Sequence, residues 1–126
     1  MLAAASLATG SSAANAEPTG QKVRYTLTSG TGVTFQVNYL TAQPPSKEAY
    51  NADPYAFLKK EDVSTAQPWV FETTLEDAQW ATLDASAAAH GGQAVPNAHC
   101  EIAVDGQVVM QGDGPYTARC QLANWS

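Results

Sequence analysis

Apolar and polar residues alternate with a period of two in two segments near the start of the chain. In the first, Arg24, Thr26 and Thr28 separate the apolar residues Val23, Tyr25 and Leu27. In the second, VTFQVNYL, the apolar positions are Val33, Phe35, Val37 and Tyr39. Successive side chains of a strand point to opposite faces of a sheet, so this pattern is typical of a strand with one buried face. It predicts strands at 23–28 and 33–40.

Five further segments have the composition of strands and are bounded by turn signals. They lie at 68–75, 79–89, 98–104, 107–112 and 115–122. Short strands in this number, separated by frequent turns, are typical of two packed antiparallel sheets. The predicted fold class is therefore all-β: an immunoglobulin-like antiparallel β-sandwich of about seven strands.

Residues 41–68 break the alternating pattern and predict an insertion at about 45–65. Pro44 and Pro45 interrupt any strand there, and Asp53 followed by Pro54 has the form of a helix start. Asp accepts hydrogen bonds from the first free N–H groups of a helix, and Pro has the helical φ at the first position. We expect a loop that carries one or two helical turns at about 55–61.

Asp105-Gly106 predicts a hairpin turn, whose loop length sets the register of the strands on either side. A two-residue turn would place Ile102 opposite Val109. A three-residue loop with Gly106 in the left-handed conformation would pair Ile102 with Val108 and Cys100 with Met110. The second arrangement is favoured because it gathers these four apolar side chains on one face.

Length and charge limit the kinds of function. The chain of 126 residues is long enough for one domain with its own core. Its formal charge is −6, and its six Lys and Arg residues are scattered rather than clustered. Nucleic acids and anionic membranes are bound by clustered positive charge, so no nucleic-acid partner is expected.

The N terminus resembles a signal peptide. Residues 1–16, MLAAASLATGSSAANA, are uncharged and end in the small-x-small sequence Ala14-Asn15-Ala16, which a signal peptidase recognises. The basic opening of such a peptide is missing, so an N-terminally truncated signal is expected. The predicted organisation is a signal peptide at 1–16, a leader at 17–22 and a domain at 23–126. The expected location is exported: periplasmic, associated with the cell envelope or secreted.

Cys100 and Cys120 are the two cysteines of the chain, and each is in phase with the apolar positions of its predicted strand. An even pair in an oxidising compartment predicts a structural disulfide. A nucleophilic Cys100 assisted by His99 is the alternative. It is disfavoured because neighbouring strand residues point to opposite faces.

No catalytic residue, metal ligand or cofactor site is predicted. His90 and His99 with two oxidised cysteines do not have the ligand spacing of a zinc site. The carboxylates are dispersed, without a recognisable pair for general acid and base catalysis. The sequence therefore predicts a protein that is not an enzyme.

Aromatic side chains are the candidates for a binding surface. Trp69 and Trp80 are expected in the core, whereas the environment of Trp125 is open. The insertion adds more aromatic residues, and the predicted ligand or partner surface consists of Tyr50, Tyr55, Phe57 and Trp125. Aromatic side chains suit this role because they offer a broad apolar area, and in Tyr and Trp a polar group as well.

Four segments, taken in order, resemble the extracytoplasmic domain of the MmpS family of small mycobacterial membrane proteins. They are VRYTLTSGTGVTFQVNYLTAQP, QPWVFETTL, HCEIAVDGQVV and YTARC. The resemblance covers residues 23–44 and 67–122. It implies an immunoglobulin-like sandwich with a disulfide and a non-enzymatic role beside MmpL transporters of the RND superfamily, which export lipids or siderophores. The family has an N-terminal membrane helix instead of a cleavable signal, and a shorter link at Pro45 to Thr65.

Two functions are therefore expected, in order of preference. The first is an exported accessory protein that assists MmpL or RND-type export of lipids or siderophores. The second is a secreted binding module, in which the insertion and its aromatic residues form a surface for a lipid or protein ligand. An enzyme ranks third, because no nucleophile is accompanied by a base.

Overall fold

The alternating segments form eight β-strands within residues 20–87 and 94–125, which the computed structural model of the protein describes. The strands are β1 (Gln21–Thr28), β2 (Thr34–Leu40), β3 (Leu58–Ser64), β4 (Trp69–Leu75), β5 (Thr82–Ser86), β6 (Ala98–Val104), β7 (Gln107–Gly114) and β8 (Thr117–Gln121). One helix, α1 (Lys47–Ala52), and 3-10 turns at Pro54–Ala56, Ala78–Trp80 and Ala123–Trp125 connect them. In this part of the chain no helix has the length and apolar character needed to span a bilayer. The predicted signal peptide at 1–16 lies outside the described residues.

Two four-stranded sheets pack against each other. Sheet I has the order β4-β1-β6-β7 and sheet II the order β3-β2-β5-β8. All neighbouring strands pair antiparallel. The predicted antiparallel β-sandwich is thus confirmed, with eight strands in place of about seven.

The core lies between the sheets and is formed by the apolar members of the alternating pattern. Tyr25 and Leu27 of β1, together with Phe35, Val37 and Tyr39 of β2, are almost fully buried. The hydroxyl of Tyr25 donates a hydrogen bond to the carbonyl oxygen of Leu40 at 2.8 Å. This bond satisfies a polar group that burial has removed from water, and burial raises the pKa of Tyr25.

The predicted disulfide between Cys100 and Cys120 is confirmed and joins the two sheets. Cys100 lies on β6 of sheet I and Cys120 on β8 of sheet II. Both residues are fully buried, and their Cα atoms are 6.2 Å apart. The disulfide therefore forms part of the core.

The helical turns predicted at about 55–61 are confirmed only at the start of that range, where Pro54–Ala56 forms a 3-10 turn, and Leu58–Ser64 is a strand instead. Helix α1 begins earlier, where the Ser46 hydroxyl accepts a hydrogen bond from the Ala49 amide at 3.0 Å. Asp53 precedes a short 3-10 turn and makes no side-chain cap there. The helical part of the insertion is thus short, as predicted, but lies at Lys47–Ala52 and Pro54–Ala56.

The missed eighth strand, β3, follows this turn and forms the edge of sheet II. Its residues Lys59 and Glu61 occupy inward positions opposite Tyr39 and Val37. Glu61 accepts a hydrogen bond from the Tyr39 hydroxyl. Inward-pointing charges on an edge strand oppose pairing with another chain. They also conceal the apolar alternation by which a strand is recognised in a sequence.

The strand predicted at 79–89 begins later than expected. Ala78–Trp80 is a 3-10 turn, in which Asp77 Oδ1 accepts a hydrogen bond from the Gln79 amide at 3.0 Å. Strand β5 extends only over Thr82–Ser86, and residues 88 and 89 of the prediction lie outside the described residues.

The register predicted for the Asp105-Gly106 hairpin is also wrong. Both residues have positive φ, 50° and 88°, which is typical of a two-residue hairpin turn. Val104 pairs with Gln107 across this turn, and a register shift between Ala103 and Ile102 places Ile102 opposite Met110. Cys100 lies opposite Gly112. The bulge that we expected in the loop lies within the strands instead.

Candidate functional site

The outer face of sheet II carries a row of polar side chains that strand pairing brings together. Asn38 of β2 lies opposite Asp84 of β5, which lies opposite Arg119 of β8. Asn38 also lies opposite Lys60 of the edge strand β3. Opposite residues of an antiparallel pair project to the same face, so the row crosses all four strands.

An aromatic cluster stands at one end of this face. The Tyr50 ring from α1 lies 4.9 Å from that of Trp125, centroid to centroid, and the two planes are at 86°. Trp80 completes the cluster, with its ring 5.7 Å from Trp125 and 6.0 Å from Tyr50. The two contacts of Trp125 are edge-to-face, a favourable arrangement for aromatic rings, and the cluster holds the insertion and the C-terminal turn together.

A groove of about 210 Å³ lies between the aromatic cluster and the polar row. We call it the aromatic groove. Three aromatic residues form its wall: Tyr50, Tyr55 and Trp125. Its floor comes from all four strands of sheet II and consists of Asn38, Leu58, Thr82, Asp84 and Gln121.

Three of the four residues predicted as a ligand or partner surface come together in this groove. Tyr50 and Trp125 are half-buried, and the side chain of Tyr55 is 61% exposed. Phe57, the fourth predicted residue, does not line the groove but packs against the core. Its backbone carbonyl accepts hydrogen bonds from the amide and the hydroxyl of Thr41.

Asn38, one of the floor residues of the groove, carries an unpaired polar atom. Its Oδ1 is buried and accepts no hydrogen bond from any residue that the structure describes. A buried polar atom without a partner is rare in native proteins, since it has lost its contacts with water without gaining others. A hydrogen-bond donor supplied by a ligand would satisfy it if the Asn38 amide turned this atom toward the groove.

The charged groups at the groove are balanced. Arg119 Nη2 donates to Asp84 Oδ2 at 3.2 Å, and the Asp84 side chain is 32% exposed. Burial, and to a smaller extent the neighbouring Tyr55, raise the pKa of Tyr50. Tyr50 is therefore uncharged at neutral pH, and the Asp84 carboxylate of the floor is paired with a cation.

Sequence reasoning missed the whole floor of the groove. In the sequence, Asn38 is only a polar position of the alternating segment VTFQVNYL, and Asp84 and Gln121 have no distinguishing signal. Their proximity depends on pairing between β2, β5 and β8, which are distant in the chain. Knowledge of the strand order would have found them, because each occupies an outward position of its strand.

His99, the predicted neighbour of the disulfide, lies on the outer face of sheet I. Its Nδ1 is 2.6 Å from Asp113 Oδ1 and its Nε2 is 2.9 Å from Glu101 Oε2. Both ring nitrogens are thus in hydrogen bonds, and Cys100 points to the opposite, buried face. Over residues 20–87 and 94–125, no three His, Cys, Asp or Glu side chains converge as metal ligands.

A second depression, of about 370 Å³, lies on the outer face of sheet I. Lys22, Arg24 and Glu72 are among its lining residues, and none of the residues lining it is aromatic. Neighbouring side chains of opposite charge are usual on the solvent-exposed face of a sheet. The aromatic groove is therefore the better candidate for a binding site.

Comparison with known proteins assigns residues 25–120 to the Rv2576c beta-sandwich domain. The uncharacterized protein Rv2576c of Mycobacterium tuberculosis is 40% identical over 116 residues, which cover 89% of this chain and 73% of the relative. The uncharacterized protein Mb2606c of Mycobacterium bovis has the same identity and coverage. No solved structure matches the chain. The chain belongs to the Rv2576c beta-sandwich domain family.

Proposed function

We propose that this member of the family is a non-enzymatic, exported binding module whose ligand occupies the aromatic groove. One observation carries the proposal. Asn38, whose Oδ1 is buried and has no hydrogen-bond partner among the described residues, is a floor residue of a groove with the aromatic residues Tyr50, Tyr55 and Trp125 in its wall. A concave site with aromatic walls and a few converging polar groups is the usual form of a small-ligand site.

The groove is held in shape before any ligand enters. The C-terminal turn is tied to the Ala78–Trp80 turn by bonds from Ala123 N to Gln79 Oε1 and from Asn124 Nδ2 to Asp77 Oδ2, each 3.1 Å. Trp125 Nε1 adds a bond to the Trp80 carbonyl oxygen. A preformed site loses less conformational entropy when it binds, which favours recognition of a small ligand.

Export is part of the proposal. The disulfide supports it, because disulfides persist in oxidising compartments outside the cytoplasm. The low fraction of charged residues, 14%, compared with about 25% in average proteins, agrees with an exported domain.

A role beside a membrane transporter is the second proposal, and its support is the MmpS resemblance. The resembling segments coincide with β1, β2, β4, β6, part of β7 and most of β8, which belong to the scaffold of both sheets. The groove wall lies largely outside them, in the insertion and at the C terminus. The scaffold that resembles MmpS supports a transporter partner. The groove wall has no counterpart in the segments that resemble MmpS.

Binding to native envelope material tests the first proposal. Purified protein is incubated with an envelope fraction of an actinobacterium, and the bound share is measured after sedimentation. Tyr55→Ala and Asn38→Ala are compared with Gln36→Ala and Val70→Ala, which change exposed residues outside the groove. We expect retention to fall in the first pair alone. Equal retention of all four variants would refute the groove as the site.

The transporter proposal requires a separate readout. The native protein should co-purify with an MmpL-type transporter after mild detergent extraction of the envelope. Recovery of the protein from the culture medium alone, with none bound to the envelope, would contradict that role.

A further inference from the structure

We propose that the ligand of the aromatic groove is a neutral sugar ring. This inference rests on the proposed function and specifies the chemistry of its ligand. Three properties of the groove carry it: its size, the hydrogen-bonding groups of its floor and the flat apolar surface of its wall.

The size of the groove fits one ring. Its volume is about 210 Å³, whereas pockets for drug-sized ligands have about 300–1,000 Å³. An extended acyl chain would project well beyond such a groove. A single six-membered ring with its hydroxyl groups is of the right order.

The floor has the polar groups that sugar hydroxyls require. Each sugar hydroxyl both donates and accepts a hydrogen bond, and an Asn or Gln amide offers both functions in one plane. Asn38 and Gln121 supply two such amides, and Asp84 adds a carboxylate acceptor. The Oδ1 of Asn38 lacks a hydrogen-bond donor, and a sugar hydroxyl would supply one once the amide turns this atom toward the groove.

A lipid tail would be poorly matched to this floor. Covering Asp84 and Gln121 with hydrocarbon would remove water from their polar atoms without replacing the lost hydrogen bonds. The cost is about 1–3 kcal/mol for each polar group according to mutational data. The floor therefore selects against the acyl chain that a lipid-binding groove would take.

The wall complements the apolar face of the ring. A sugar ring has a face of C–H groups between its polar edges, and this face packs on aromatic rings. Tyr55 is 61% exposed although most large apolar residues of the described chain are buried. Tyr50 and Trp125 stand nearly perpendicular to each other, at 86°, so that they offer surfaces in two directions.

The charges favour a neutral sugar. Asp84 is paired with Arg119 at 3.2 Å, and the whole chain has a formal charge of −6. An anionic ligand would meet long-range repulsion from this net charge. A cationic ligand would have to displace Arg119 from its ion pair with the Asp84 carboxylate.

A titration with sugars tests the inference. The full chain, labelled with ¹⁵N, is titrated with the methyl glycosides of glucose, galactose, mannose, arabinose and N-acetylglucosamine, and each is followed by NMR and by tryptophan fluorescence. We expect saturable binding of at least one glycoside, with shifts at the Asn38 side-chain amide. The affinity should fall about tenfold in Asn38→Ala and in Tyr55→Ala, the effect of losing about 1.4 kcal/mol.

Matched control variants and a lipid probe define the results that would contradict the sugar as ligand. Gln36→Ala, on the same face of β2, and Val70→Ala, on sheet I, should bind with unchanged affinity. The inference is overturned if no glycoside binds, or if the groove variants bind as well as the wild type. Binding to phosphatidylcholine vesicles that depends on Tyr55, without binding to any glycoside, would overturn the sugar as ligand but leave the proposed binding function intact.

Discussion

The indole Nε1 of Trp125 donates a hydrogen bond to the carbonyl oxygen of Trp80 across 2.5 Å. The two residues are 45 positions apart in the chain, and each belongs to a 3-10 turn at the same end of sheet II. This bond fixes the C-terminal turn over the outer face of the sheet, where Trp125 forms part of the groove wall. The last residues of the domain are thereby part of the candidate site.

Replacement of Trp125 by Phe should loosen this wall without removing its aromatic ring. The variant cannot donate to the Trp80 carbonyl oxygen, and a single hydrogen bond of this kind contributes about 1 kcal/mol. We expect a decrease of that size in the free energy of unfolding in urea, with broadened NMR signals for Tyr50. Unchanged stability together with unchanged Tyr50 signals would show that the bond does not hold the wall.

Removal of the disulfide should destabilise the whole sandwich. The bond closes a loop with a sequence separation of 20, and constraining the unfolded chain over this length contributes about 3 kcal/mol. Cys100→Ala combined with Cys120→Ala should lower the free energy of unfolding by about this amount in urea. Reduction of the wild type with dithiothreitol should have a similar effect, while leaving the double variant unaffected. Coincident unfolding curves for wild type and double variant would contradict the assignment.

The stability of the domain should depend on pH through His99. Hydrogen bonds raise the pKa of His99 above its usual 6.5, and the bond to Glu101 has a larger effect than the bond to Asp113. Because the pKa is higher in the folded state, the stabilisation is fully present at pH values below the pKa of the unfolded state. It is lost as the pH rises through the pKa of the folded state. The urea midpoint should therefore be higher at pH 6 than at pH 8.

A substitution separates His99 from the other titrating groups. In His99→Gln, the part of the pH dependence between pH 6 and pH 8 that is due to His99 should disappear. Glu101→Gln should reduce it, because the largest cause of the shift is removed. A pH dependence identical to that of the wild type in His99→Gln would show that the histidine does not contribute.

Gly112 should be intolerant of any side chain. A Cβ atom there would lie 2.5 Å from the backbone carbonyl oxygen of Arg119, because β7 passes close to β8. Such overpacking costs about 1–3 kcal/mol, and Gly112→Ala should lower the urea midpoint accordingly. Gly30→Ala is the control, since the nearest atom to a Cβ atom at that position, the Pro96 carbonyl oxygen, would lie at 3.4 Å. A midpoint for Gly112→Ala equal to that of the control would contradict the close approach.

The scaffold could be predicted from the sequence because its signals are local. Alternation in Val23, Tyr25 and Leu27 depends only on which residues face the core, and the in-phase cysteines indicate a disulfide for the same reason. The edge strand β3 escaped prediction because Lys59 and Glu61 occupy its inward positions. The hairpin register escaped it because the bulge lies between Ile102 and Ala103, within the paired strands, rather than in the turn.

The candidate site could be predicted only in part. The aromatic residues of the insertion are visible in the sequence, and three of the four suggested residues line the groove. The floor depends on strand order: Asn38 and Asp84 become neighbours only because β2 pairs with β5. Composition and periodicity contain no information about that pairing, so the polar half of the site required the structure.

Occupation of the groove in the native envelope is the most direct test of the account. The photoreactive residue p-benzoylphenylalanine is placed at position 55, in the groove wall, or at position 109, on the exposed edge strand β7 of sheet I, and intact cells of the native host are irradiated. We predict a specific adduct from position 55 that is absent from position 109 and is lost when Asn38→Ala is also present. No adduct from position 55, or equal adducts from both positions, would contradict the aromatic groove as the ligand site.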